Sequence, residues 1–143
     1  MIYDTTYQNK ETEELINDCL GNSYGFFQAI KMGGVGSKRM MIEDVSYNIR
    51  NIINRTADIN YANIELRPNG ILVMINKGLK NFTWAIPFRQ LVIYKTDGLS
   101  IHAQGKYIRF KNNNLFKENE KFLNKLLGLK LEKTRQFEMP AYE

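Results

Sequence analysis

The chain has 143 residues, 43% of them hydrophobic and 24% charged, with a formal net charge of +5. Those proportions suit one domain that buries its own core, and they exclude a disordered tail, a fibrous repeat or a disulfide-stapled miniprotein. With one cysteine and one histidine, the chain can form neither an internal disulfide nor a Cys/His zinc cluster.

The excess positive charge is uneven. Residues 1–60 carry 6 Lys and Arg against 8 Asp and Glu, whereas residues 61–143 carry 14 against 7. A basic second half suits phosphate, an anionic membrane or an acidic protein, but dispersed lysines usually only solvate a surface. The first residues have no basic start followed by an apolar run, and no window reaches the apolar length of a membrane span. The expectation is a cytoplasmic protein.

In residues 10–20, Leu15, Ile16, Cys19 and Leu20 gather on one helical face behind an acidic first turn, and Gly21 suits a left-handed cap. This placement makes Cys19 a small core residue. Tyr24, Phe26, Phe27 and Ile30 form a short apolar segment, and residues 32–37 (Met-Gly-Gly-Val-Gly-Ser) read as a flexible break. In residues 40–53, Ile42, Val45, Ile49, Ile52 and Ile53 favour a helix capped near Ser37, although Val45, Tyr47 and Ile49 also alternate as in a strand.

From residue 58 the period changes to two. Ala62, Ile64 and Leu66 alternate with polar residues up to a Pro68-Asn69-Gly70 turn, and residues 71–75 return as a hairpin. Phe82, Trp84 and Ile86 share one strand face, and Pro87 marks a kink, bulge or edge. Further strands lie over residues 91–94, 99–103 and 107–110, joined by glycine-bearing turns. Leu115, Phe116, Phe122, Leu123, Leu126 and Leu127 then form the apolar stripe of a closing helix, capped by Asn114 and stopped at Gly128. The expected class is α+β, in one compact domain: a helical region over residues 1–57, strands and capping helix over residues 58–130, and a tail over residues 131–143.

An antiparallel strand series followed by one amphipathic helix resembles the pleckstrin-homology-like superfamily, in particular small PH-like proteins of bacteria. The likeness runs over residues 59–127, through Ile71-Leu72-Val73-Met74-Ile75, Trp84-Ala85-Ile86-Pro87-Phe88-Arg89-Gln90-Leu91, Leu99-Ser100-Ile101 and the last helix. It implies a curled sheet or barrel plugged by that helix. The family's seven strands then require one more from residues 24–54.

Four features are candidate sites. Gly33, Gly34 and Gly36 with Lys38 and Arg39 suggest a phosphate loop, but the order matches neither a Walker loop nor a dinucleotide fingerprint, and a hinge is the plainer reading. Lys77, Leu79 and Lys80 place an apolar tip between two cations, as an anionic bilayer would favour, against an ordinary solvated hairpin. The basic loop by which PH domains grip inositol phosphates is matched only in part, since Phe82 stands where a later arginine would. Tyr107, Arg109 and Lys111 share a strand face that could stack a base or simply stabilise the sheet.

His102 lacks an orienting carboxylate in sequence, and no adjacent acidic pair has catalytic spacing, so no catalytic residue, metal or cofactor is expected. The expectation is a non-catalytic PH-like module for a protein, peptide or anionic surface, using a strand edge near Pro87, with a homodimer compatible. The alternative is a nucleic-acid-associated protein using the basic half. A small-molecule enzyme ranks third, and needs His102 beside an acidic group in a cleft.

Overall fold

In a computed structural model, residues 1–52 and 60–138 are described. The chain runs β1 (Ile2–Asp4), α1 (Lys10–Leu20), α2 (Phe26–Lys31), β2 (Met40–Val45), α3 (Tyr47–Ile52), β3 (Tyr61–Arg67), β4 (Gly70–Lys77), β5 (Lys80–Pro87), a 3-10 turn (Phe88–Gln90), β6 (Val92–Thr96), β7 (Gly98–Ala103), β8 (Lys106–Phe110), α4 (Asn114–Lys117) and α5 (Glu120–Glu138). The class is α+β. All eight strands form one antiparallel sheet in the order β1-β5-β4-β3-β2-β8-β7-β6. Its end strands do not pair with each other, so the sheet is open and is not a closed barrel.

The alternating pattern fixes which face is buried. In β3, Ala62, Ile64 and Leu66 are wholly enclosed while the intervening residues stay half-exposed. β4 is buried on both faces: Ile71, Val73 and Ile75 join the main core, and Leu72 turns outward to meet Ala85, Ile16 and Leu20. Helix α1 thus covers the outer face of β4 and β5, which explains why residues 71–75 form an uninterrupted apolar run. The main core takes residues from β2 to β5, β7 and β8 and from Phe122, Leu123 and Leu126 of α5, with Ile93 of β6 packed against it.

Residues 40–53 are not one helix. Met40–Val45 is the central strand of the sheet, with Met40 opposite Ala62 and Val45 opposite Ile108, and a short helix starts only at Tyr47. A register shift between Ile42 and Asp44 displaces the alternation, so Ile42, Val45 and Ile49 fall at helix-like intervals. Ser37 caps no helix; its hydroxyl accepts the backbone N–H of Ile64 at 2.8 Å. Residue 53 lies outside the described residues.

Residues 35–37 are likewise no free break. Leu66 N–H donates to the Val35 carbonyl, and Ser37 N–H donates to the Ile64 carbonyl, so this segment extends β2 along β3. Lys38 and Arg39 then form a bulge opposite Asn63. The N-terminal region therefore contributes strands as well as helices.

The final helix differs in three ways from its sequence pattern. Its cap is Asn113, whose side chain accepts Phe116 N–H at 3.1 Å. The helix breaks at residues 118–119, where buried Asn119 accepts Lys38 N–H and donates to the Leu115 carbonyl, both at 2.8 Å. It also passes through Gly128 to Glu138, so residues 131–138 are helix and not tail. Burial of Leu126 and packing of the partly buried Leu129 around the glycine, and a bond from Lys130 Nζ to the Phe88 carbonyl at 2.7 Å, hold this stretch in place.

Candidate binding surfaces

Among the described residues the outer side of edge strand β6 has no strand partner. Its outward residues Val92 and Tyr94 are 47% and 53% exposed, while Ile93 packs on the core. Lys95 stands opposite Leu99, on the side of the sheet that faces the helices. There a groove of about 310 Å³ opens beside α4 and α5, lined by Lys95, Leu99, Phe116, Lys117, Glu120 and Leu123. An edge with unpaired backbone donors and acceptors beside an apolar groove can take an extended segment as a ninth strand.

This is not the edge that Pro87 suggests. β1 pairs with β5 from Phe82 to Trp84, and Ala85 N–H donates to the Met1 carbonyl, so that side of β5 is already occupied up to the proline.

The outer face of the second half of the sheet carries an aromatic and polar array. His102 lies directly opposite Tyr107, and their rings stack; Tyr94 meets the imidazole edge-on from β6, with centroids 4.8 Å apart. Tyr107 Oη donates to Asp44 Oδ2 at 2.9 Å, and Arg50 donates to the other carboxylate oxygen at 3.2 Å. That hydrogen bond to a carboxylate raises the Tyr107 phenol above its ordinary value. Partial burial, with the Arg109 guanidinium nearby, lowers the His102 imidazole. The fold therefore joins two features that sequence treats separately, His102 and the Tyr107 and Arg109 face. Lys111 lies just past the end of β8 and is exposed; its N–H donates to the Met41 carbonyl at 3.0 Å.

Among the described residues no carboxylate orients the imidazole of this array. His102 Nε2 is 3.0 Å from the buried Ser100 hydroxyl, but Asp44 bonds Tyr107 and leaves the imidazole without a carboxylate. The shallow hollow at His102, of about 350 Å³, is lined by Gln90, Val92, Gln104, Lys106 and Tyr107, with no acidic residue. An enzyme reading based on His102 beside an acid in a cleft has no such geometry among the described residues.

The other cations are scattered. Lys77 and Lys80 are paired across the β4–β5 turn, and Leu79 at its tip is 95% exposed. Lys80 lies close enough to Asp4 to help lower that carboxyl, although hydrogen bonds from the Thr6 hydroxyl and backbone contribute most. Arg39 places its guanidinium 4.5 Å from the centre of the Tyr61 ring, and the Lys38 backbone is bound to Asn119. Gly33 and Gly34, with φ of 77° and 96°, turn the chain out of α2, and Lys125 Nζ donates to the Gly34 carbonyl at 2.8 Å.

Cys19 is exposed, in contrast to a core position, beside a cavity of about 540 Å³ that also touches Asp18, Asn69, Arg89 and Lys133. Leu15, although on the apolar stripe of α1, is 49% exposed; only Ile16 and Leu20 reach the sheet. Among the described residues no His, Cys, Asp and Glu group could hold a metal ion, and no helix is long and apolar enough to cross a membrane. No family model, curated protein or solved structure matches the chain.

Proposed function

We propose that the chain is a non-catalytic binding module that captures an extended segment of a protein or peptide along β6, within a PH-like architecture. The order of a four-strand meander (β2 to β5), a three-strand meander (β6 to β8) and a closing helix supports the PH-like part of this reading. The observation that carries the binding role is the free edge of β6 beside the groove of Leu99, Phe116 and Leu123.

Backbone pairing would supply the affinity common to all ligands, and the groove would add selectivity for an apolar side chain. Lys95 and Lys117 at the groove, against Glu120, favour a segment with a net negative charge. Single-stranded nucleic acid has weaker support, because one face of the Tyr107 ring is already covered by His102 and Arg109 stands beside an ion-paired Asp44.

Selection of peptides from a random displayed library, followed by amide hydrogen exchange, tests this role. Selected peptides should slow exchange across Val92–Thr96, lose binding in Phe116→Asp, and change their charge preference in Lys95→Glu. If no peptide is enriched, or bound peptides leave β6 exchange unaltered, the reading fails.

A further inference from the structure

Helix α2 presents its apolar face outward. Phe26, Phe27 and Ile30 are 74%, 82% and 60% exposed, and none of the six residues of the helix is buried. The segment is nevertheless firmly placed. Tyr24 and Met32 on either side pack on the main core, Ala29 N–H donates to the Gly25 carbonyl, and Gly34 N–H donates to the Ala29 carbonyl. The anchors are thus the flanking residues, and the helix between them holds two phenylalanines in an edge-to-face pair, with centroids 5.6 Å apart, away from the core.

Folding does not require this arrangement, and water opposes it. The two rings alone expose on the order of 300 Å² of apolar surface, the size at which a single patch on a monomer is commonly functional. The charges along this stretch of chain have one sign. Residues 19–42 contain Lys31, Lys38 and Arg39 and no Asp or Glu. Lys125 adds a further ammonium at the end of α2 through its bond to the Gly34 carbonyl.

Two copies facing each other through this patch would bury roughly 800 Å², below the interfaces of about 1,200–2,000 Å² typical of stable pairs, and would oppose Lys31 with Lys31. An anionic lipid surface has neither difficulty. Aromatic rings settle at the boundary between headgroup and acyl chain, and the cations remain at the level of the negative headgroups.

We propose that α2 docks this protein on anionic membranes, with Phe26, Phe27 and Ile30 entering the interface and Lys31 and Lys125 facing lipid headgroups. The contact is peripheral and reversible, and it is independent of the β6 edge. The hairpin tip at Leu79 is the competing location, since it too is apolar between cations.

Co-sedimentation of the full chain with phosphatidylserine-containing and pure phosphatidylcholine vesicles, at low and high salt, tests the assignment. Binding is expected only to the anionic vesicles, weaker at high salt, and reduced about tenfold or more in Phe26→Ser/Phe27→Ser. Because both side chains are exposed, that variant should melt like the parent, which separates lost docking from lost folding. Leu79→Ser should bind as the parent does. The proposal is overturned if anionic vesicles are not bound, if the double variant binds normally, or if Leu79→Ser alone abolishes binding. It is also overturned if light scattering shows a dimer that the double variant dissolves while vesicles remain unbound.

Discussion

The imidazole of His102 lies against the ring of Tyr107, with 5.4 Å between ring centroids and 25° between their planes. The contact crosses from β7 to β8 at directly opposed positions, where neighbouring side chains meet most closely. Tyr107 is fixed in turn by Asp44 on β2. One outward-facing chain of contacts thus ties three adjacent strands together.

A pH dependence follows from that stack. Burial, then Arg109, lowers the imidazole from its ordinary value of 6.5, so the folded state favours the neutral ring and the unfolded chain binds more protons as pH falls. The stabilising contribution is present above the ordinary imidazole range and is lost as pH drops through it towards the lower folded value. Thermal melts from about pH 7 to about 5.5 should show a decline in Tm that is reduced in His102→Phe, which keeps a stacking ring without a titrating group.

Trp84 lies in the core with no exposed surface, and its Nε1–H donates to Gln104 Oε1 at 3.2 Å. The same carboxamide donates to Gln90 Oε1 at 2.8 Å and to the Ala85 carbonyl at 3.3 Å, from a residue held at φ 55°. Gln104→Leu leaves the buried indole N–H without an acceptor. Urea unfolding should show a loss of about 1–3 kcal/mol.

Two glycines should respond oppositely to alanine. At Gly70 a Cβ would collide with the Ile86 carbonyl oxygen and lie 2.7 Å from Leu20 Cδ2, so Gly70→Ala should destabilise by roughly 2 kcal/mol or more. At Gly128, inside α5, a Cβ meets nothing within 4 Å, and Gly128→Ala should stabilise by about 0.5–1 kcal/mol. Melting both variants beside the parent checks the pair.

Asn119 links the bulge at Lys38 to the break between α4 and α5. Asn119→Ala removes the acceptor of Lys38 N–H and the donor to the Leu115 carbonyl, both part-buried, so a loss of about 1–3 kcal/mol is expected. Faster amide exchange at Lys38 in the variant would place the effect at that bond.

The strands from β3 to β8 could be read because half-buried strands repeat every two residues and their turns need distinctive residues. Pro68-Asn69 between Arg67 and Gly70 is such a turn. β2 escaped that reading because its register shift makes Ile42, Val45 and Ile49 imitate a helical period. Gly128 looks like a stop by propensity alone, but packing on the core carries α5 past it. The stack of His102 on Tyr107 depends on cross-strand register, which no local spacing reveals. Phe26, Phe27 and Ile30 illustrate a deeper limit: an apolar cluster has the same composition whether its helix faces the core or the solvent.

The pairing of β2 with β8 also sets an order of assembly. Asp44 and Tyr107 are 63 residues apart along the chain, and the two halves of the sheet pair strand to strand at β2 and β8. The meander of β3, β4 and β5 can form from near neighbours, whereas β6 and β7 reach the sheet only through β8. Closing so long a loop is slow compared with forming a hairpin. On a ribosome, β2 would wait with one side exposed until β8 had emerged, and the core-facing side of the first meander would remain open to a chaperone for that interval.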